Sequence, residues 1–237
     1  MTYPERIVPD ETEPGIVALH LKRYEFALPW CRGAEVLDAG CGVGYGSAFL
    51  GEAAARVVGV DRDEPAIAYA RARYGGPNVE FRVGDVLATE FPDESFDAVC
   101  AFETIEHVDD AGAFAREMAR VLRPGGVFLV STPRAVETTS APANPFHRIE
   151  LSRADFEALL RRFFGEVELF GQRRLQTARH RLLQRVDVLG LRKRLTFLRH
   201  ASRLLGTPPM AEVTAEGIVI ERDSLDRATE LVAVCRR

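Results

Sequence analysis

Residues 36–46, Val-Leu-Asp-Ala-Gly-Cys-Gly-Val-Gly-Tyr-Gly, run from an apolar stretch through Asp38 into Gly40, Gly42, Gly44 and Gly46. A strand-to-helix turn of this kind lets the backbone lie close against a ligand, because glycine reaches φ > 0 and has no Cβ in the way. A second apolar stretch, Val57-Val58-Gly59-Val60, ends at Asp61, whose carboxylate can accept both hydroxyls of a ribose. A glycine turn followed about 20 residues on by an acidic strand end is the pattern of an adenosine-containing cofactor.

The spacing narrows the cofactor. A dinucleotide fingerprint needs G-x-G-x-x-G. Counting from Gly40 and Gly42 puts Tyr45 at the third glycine, and counting from Gly42 and Gly44 puts Ser47 there. The Gly-Lys-Ser/Thr of a P-loop is missing too. Asp38, just ahead of the turn, would repel a pyrophosphate but suits a cation. S-adenosylmethionine, with its ammonium and sulfonium, meets that requirement.

Val36 to Gly46 resembles the first motif of the class I S-adenosylmethionine-dependent methyltransferases, and Val58-Gly59-Val60-Asp61 resembles the second. Val83-Gly84-Asp85-Val86 is similar to the adenine-binding turn after the third strand. Phe96-Asp97-Ala98-Val99-Cys100 with Glu103 to His107 is similar to the fourth strand and its loop. Leu122-Arg123-Pro124-Gly125-Gly126 with Val127 to Val130 resembles the fifth. The resemblance extends from about residue 34 to 170. It implies a Rossmann-like α/β fold: a seven-stranded, mostly parallel sheet with helices on both faces. It also implies a cofactor set of Asp38, Gly40, Gly42, Gly44, Asp61, Arg62, Asp85, Val86, Phe102 and Glu103. Asp61 would hold the ribose, and Asp85 the adenine amino group beside the Val86 N–H. Asp38 would orient the methionine end through backbone amides or water, and Phe102 and Glu103 would pass beside it.

The elements that position these residues follow from periodicity. Strands are expected near 34–38, 57–60, 79–83, 97–101 and 127–130, alternating with helices near 45–54, 64–74 and 110–122. A helix over 152–164 opens with Ser152 and Asp155 in a capping-box-like arrangement and carries Phe156, Leu159, Leu160 and Phe163 on one face. Residues 166–170 and 229–235 read as the last two strands, which the family pairs antiparallel at one sheet edge. An amphipathic helix over 14–30 precedes the first strand, and in the family such a helix caps the cofactor pocket. Residues 173–205 hold ten Lys/Arg against one acid, Asp187. Leu175, Leu182, Val186 and Leu189, then Leu195, Leu198 and Leu205, predict two basic amphipathic helices broken at Gly190. The organisation is thus one methyltransferase domain: a cap over 1–33, a core over 34–171, a basic helical insert over 172–228 and a final strand over 229–237.

With 237 residues, 46% of them hydrophobic, the chain can bury the core of one α/β domain. A net charge of −4 argues against a general nucleic-acid binder. Cys31, Cys41, Cys100 and Cys235 show no Cys-x-x-Cys spacing and read as reduced buried thiols. The polar, acidic start has no signal-peptide pattern, and no apolar run approaches the ~20 residues of a membrane span. The expectation is a cytoplasmic protein, with the basic segment able to lie against an anionic membrane.

Methyl transfer to a hydroxyl requires the nucleophile and the methyl to be held collinear, water to be excluded and a proton to be removed. No His/Asp/Glu spacing along the chain suggests a metal. His107, in Glu103-Thr104-Ile105-Glu106-His107, and His147, in Asn144-Pro145-Phe146-His147, are the candidate bases. The Glu-His pair alternatively just orders its loop. His20, His180 and His200 read as surface positions on helices. Asn144-Pro145-Phe146 resembles the Asn-Pro-Pro-Tyr of amino-methylating DNA enzymes, but that motif follows the fourth strand, where this chain has Phe102-Glu103-Thr104.

The Asn-Pro-Phe-His stretch, Glu5 to Pro9 and Arg23-Tyr24 are similar to a glycan and secondary-metabolite subset of the family. That implies O-methylation of a sugar, a glycan-linked acceptor or another small polar molecule. The basic segment can dock a phosphorylated acceptor, bind an anionic membrane or simply cover the core. Small-molecule N-methylation and a cofactor-binding partner without catalysis stay open as alternatives. The glycine spacing opposes an NAD-dependent oxidoreductase.

Overall fold

The computed structural model describes residues 6–175 and 213–237. Helices α1 (Pro14–Cys31), α2 (Tyr45–Gly51), α3 (Glu64–Tyr74) and α4 (Ala111–Val121) alternate with strands β1 (Glu35–Ala39), β2 (Arg56–Asp61), β3 (Val79–Val83), β4 (Phe96–Phe102) and β5 (Leu122–Pro133). Then come α5 (Arg153–Leu160), β6 (Glu166–Arg174), β7 (Ile218–Glu221) and β8 (Glu230–Arg236). The sheet order is β3-β2-β1-β4-β5-β8-β6-β7. β1 to β5 pair in parallel, and β8 runs antiparallel to both β5 and β6.

The central parallel strands are buried on both faces, as helix-covered strands must be: β1, β2 and β4 are almost wholly inaccessible, while the edge strand β3 alternates buried and exposed residues. One face packs Leu37, Val58, Val99, Phe128 and Leu231 under α4 and α5; the other packs Val36, Val57, Cys100 and Leu129 under α1, α2 and α3. α4 is an example of how a helix is fixed. Asp110 caps its start, its carboxylate accepting from the Gly112 and Ala113 N–H groups. Phe114, Met118 and Val121 then form one buried stripe at helical spacing. Each such side chain contributes about 1.5–3 kcal/mol by leaving water.

The sheet corrects the expected strand count: it has eight strands, not seven. The eighth, β7, lies inside the segment expected to be entirely helical insert. β6 continues past Phe170 to Arg174, and Gly171 to Arg174 pair antiparallel with Glu221 to Ile218. Ile218-Val219-Ile220 is a three-residue apolar run, too short to give a periodic signal, and only its partner reveals it as a strand. β6 therefore sits inside the sheet, and β7 forms the edge. The two basic helices expected over 173–205 fall outside the described residues, apart from 173–175 at the end of β6.

The strand order reverses between β1 and β4, which lie side by side with their chains diverging to opposite halves of the sheet. The crevice beyond the carboxyl ends of strands at such a reversal is where open α/β sheets bind ligands.

Candidate active site

A cavity of about 570 Å³ opens there. Gly40, Gly42, Asp61, Arg62, Asp85, Val86, Phe102, Glu103 and His107 line it. Residues spread over 68 positions of sequence, from Gly40 to His107, thus meet in one wall. Asp38, Gly44 and His147 are not in the lining: Asp38 contacts Tyr24, Gly44 sits between Val43 and Tyr45 in the chain, and His147 packs on His107, all four of those neighbours being lining residues.

The glycine turn is built as its composition demands. Gly42 has φ +55 and open space where a side chain would project, and its N–H donates to Asp61 Oδ2 at 2.9 Å. The other Asp61 oxygen accepts from the Asp63 N–H at 2.9 Å. Gly44 caps α2 at φ +89, and a Cβ there would lie 2.6 Å from the Phe81 ring. Asp85 Oδ1 accepts from the Leu87 N–H at 2.8 Å, which shapes the turn carrying Val86.

Asp38 lies fully buried beneath the turn. Ser47 Oγ donates to its Oδ2 at 2.6 Å, and the Tyr24 hydroxyl lies 3.3 Å from Oδ1. Burial pushes this carboxyl up to about 7, against the pull of those two hydroxyls, and the Asp61 charge adds to the rise. Burial, with Asp38 beside it, likewise raises the Tyr24 phenol.

Glu103 is a wall residue with φ +54, a conformation costly for any residue with a Cβ. Ser131 holds it from both ends. The Glu103 N–H donates to Ser131 Oγ at 3.1 Å, and Ser131 Oγ donates to Glu103 Oε1 at 2.7 Å. Arg23 Nη2 is 3.6 Å from the same carboxylate. Arg23 is itself buried, its Nε donating to Gln172 Oε1 at 2.6 Å while Gln172 Nε2 donates to the Leu19 carbonyl at 2.7 Å. This chain of contacts ties α1 to β6 and to the cavity wall.

His107 Nδ1 lies 3.0 Å from the Phe146 carbonyl. His147 packs edge-to-face on the His107 ring, with centroids 4.9 Å apart. Sequence reasoning misplaced His20. It is not a surface residue: it lines the cavity one helical turn before Tyr24 on α1. Burial, and secondarily the Arg23 charge, lower its imidazole well below the usual value, so the ring is neutral. Arg6 was missed as well. Its guanidinium lies 3.0 Å from Asp63 and 3.9 Å from Asp61, at the cavity wall. The i, i+4 spacing of His20 and Tyr24 was the available signal for a polar helix face. Nothing in the sequence pointed to Arg6 in this role.

A profile of the methyltransferase domain matches residues 37–130, the stretch from β1 to β5 that builds this cavity. The described core is a class I S-adenosylmethionine-dependent methyltransferase domain. A probable S-adenosylmethionine-dependent methyltransferase of Mycolicibacterium smegmatis is 43% identical over 168 residues, 69% of this chain and 65% of that protein. The chain therefore spans less than two thirds of that relative's length. Among solved structures, a possible histamine N-methyltransferase from Thermotoga maritima superposes with a TM-score of 0.64 at 17% identity, covering 96% of this chain and 95% of its own. The 1,6-didemethyltoxoflavin N1-methyltransferase of Burkholderia thailandensis, solved with S-adenosylhomocysteine, gives 0.57 at 21% identity, covering 93% and 78%. At such identities the structures establish a shared fold.

The cavity fits the methyltransferase cofactor on its own terms. Gly42 leaves the turn open to a ligand, and two acidic side chains, Asp61 and Asp85, line the same cavity and offer acceptors of the kind that ribose hydroxyls and an adenine amino group require.

Proposed function

We propose that this chain transfers a methyl group from S-adenosylmethionine to a hydroxyl of a small polar, sugar or glycan-linked acceptor. The bound cofactor supplies a methyl group already made electrophilic by its sulfonium. The chain's residues bind, orient and remove a proton. Asp61 takes the ribose hydroxyls, and Asp85 with the Val86 N–H takes the adenine. Tyr24 and Ser47 hold Asp38 beneath the turn. Phe102 and Glu103 form the wall beside the methionine portion.

The observation that carries the O-methylation reading is the presence of two imidazoles, His107 and His20, in one cavity wall. A hydroxyl must lose its proton as it attacks, and a neutral imidazole accepts it. His147 supports His107 from behind and is not itself in the lining. The basic segment 173–205 would dock an acceptor bearing phosphate, or one carried on an anionic membrane.

The test is a methyl-transfer assay with labelled cofactor against paired acceptors that differ only in hydroxyl versus amine. Transfer to the hydroxyl member is the expected outcome. Transfer confined to amines would move the reading to N-methylation. Tight S-adenosylhomocysteine binding with no transfer to any acceptor would favour a non-catalytic partner.

A further inference from the structure

The 3-10 turn after β4 carries a buried carboxyl group that has no hydrogen-bond partner among the described residues. Glu106 is 1% exposed, and among the described residues neither of its oxygens accepts a hydrogen bond. Thr132 Oγ1 lies near the carboxyl, but outside hydrogen-bond geometry. A buried acid left in this state is costly unless a cation or a proton answers it. His107 follows it in sequence, and His147 arrives from the loop between β5 and α5. One candidate ligand atom from each of the three lies within 4.8 Å of the other two.

The hydrogen bonds at Nδ1 leave both imidazoles a tautomer that can ligate a metal. The Phe146 carbonyl can only accept, so His107 carries its proton on Nδ1 and its lone pair on Nε2. His147 Nδ1 lies 3.0 Å from Glu150 Oε1, which imposes the same tautomer. An imidazole held through Nδ1–H by a carbonyl or carboxylate, with Nε2 turned to an ion, is the usual arrangement around bound metals. We propose that Glu106, His107 and His147 form a binding site for a single divalent transition-metal ion.

Two nitrogens and one carboxylate suit Zn²⁺, Co²⁺, Ni²⁺ or Fe²⁺, whereas Mg²⁺ and Ca²⁺ prefer all-oxygen sites. Metal–ligand bonds of about 2.0–2.2 Å require the three atoms to draw together by at most about 1.5 Å. Among the described residues no hydrogen bond holds the Glu106 carboxyl in place. At His147 the ion displaces the Asn144 amide, now 2.9 Å from Nε2, and leaves Glu150 in place as the orienting partner. Three protein ligands leave a further coordination position for water or an acceptor oxygen. His107 belongs to the cavity wall, so the ion sits at the cavity's border. With His107 engaged as a ligand, His20 is the cavity imidazole left to accept a proton. Metal binding here does not depend on the identity of the acceptor.

The test is titration of the full chain, first stripped with a chelator, with Co²⁺ alone. One equivalent should bind with visible d–d absorption, and Zn²⁺ should displace it. His147→Ala and Glu106→Gln should each weaken Co²⁺ by about tenfold or more. S-adenosylhomocysteine binding reports that each variant has folded. A His180→Ala/His200→Ala double variant should bind Co²⁺ like the parent. No absorption with the parent chain, or undiminished absorption in both ligand variants, overturns the site. A second measurement needs no substitution: during Zn²⁺ titration, imidazole nitrogen resonances of His107 and His147 should move. Movement confined to other histidines, or none, also overturns it.

Discussion

Asp38 and Asp61 lie on neighbouring strands, in surroundings that give them opposite tasks. Asp61 stands at the cavity, its oxygens satisfied by two backbone N–H groups. Hydrogen bonds to a charged group are worth about 1.5–3 kcal/mol. Asp61→Ala should therefore weaken S-adenosylhomocysteine by roughly one to two orders of magnitude in a calorimetric titration. Unchanged affinity would remove Asp61 from the ribose site. Asp38 is buried, with its carboxyl raised from 3.8 to about 7. Between those values the folded chain holds a proton that the unfolded chain has released. Stability from this group is thus complete below about 4 and is lost as pH rises towards 7. Asp38→Asn should abolish that slope in unfolding curves taken from pH 4 to 8, leaving the variant the more stable unliganded protein at pH 8. At about 1.4 kcal/mol per unit, the difference is bounded at roughly 4 kcal/mol. A wild-type stability that climbs across this window would contradict the buried environment. The histidines make a third prediction. Replacing the base by Ala should lower turnover by about 10²–10⁴-fold while cofactor affinity holds. His20→Ala and His107→Ala are the informative pair, because both rings line the cavity.

The turn between β1 and α2 shows what an element demands of its residues. Gly44 combines φ +89 with a Phe81 ring 2.6 Å from where a Cβ would sit. Gly44→Ala meets two penalties: left-handed backbone at about 1–2 kcal/mol, and overpacking at about 1–3 kcal/mol. In urea denaturation the double variant Gly44→Ala/Phe81→Leu should recover only part of the second, because the Ala70 Cβ would still lie 2.8 Å from the new methyl. Full recovery would mean that the backbone relaxes out of the left-handed region. This turn was legible in the sequence because glycines at alternate positions weaken a helix and a strand alike, and suit a backbone that must bend sharply against a ligand. β1, β2, β4 and the inner part of β5 were legible because parallel strands buried on both faces read as apolar runs, whereas the edge strand β3, Val79-Glu80-Phe81-Arg82-Val83, alternates apolar and charged residues. β7 was not, since a strand defined by its partner leaves no periodic trace of its own. The polar side of α1 was hidden for a related reason. Tyr24 counts as apolar in a periodicity, yet its hydroxyl reaches Asp38, and one turn earlier His20 faces the same cavity. Nor does linear spacing bring Glu106 and His107 to His147, because a helix, a strand and a loop separate them.

At the scale of the molecule, the chain couples an acidic whole to one basic stretch. Its net charge is −4, yet residues 173–205 concentrate ten cationic side chains against Asp187. Among the described residues no helix is long and apolar enough to cross a membrane. Charge is the physical means by which this stretch would meet an anionic acceptor or an anionic lipid surface. The residues proposed to hold the cofactor all lie between Asp38 and Glu103 on the β1–β4 half of the sheet, so acceptor docking and cofactor binding should separate experimentally. Reversing the charge of Arg192, Lys193 and Arg194 should raise the apparent KM for a phosphorylated acceptor and reduce retention on vesicles containing anionic lipid. Both effects should shrink as salt rises, since exposed charges are screened over about 8–10 Å near physiological ionic strength. S-adenosylhomocysteine affinity should stay at the parent value. If acceptor kinetics and vesicle retention are unchanged at every salt concentration, these three cations play no part in docking, and the excess charge of the stretch is only a solvated covering.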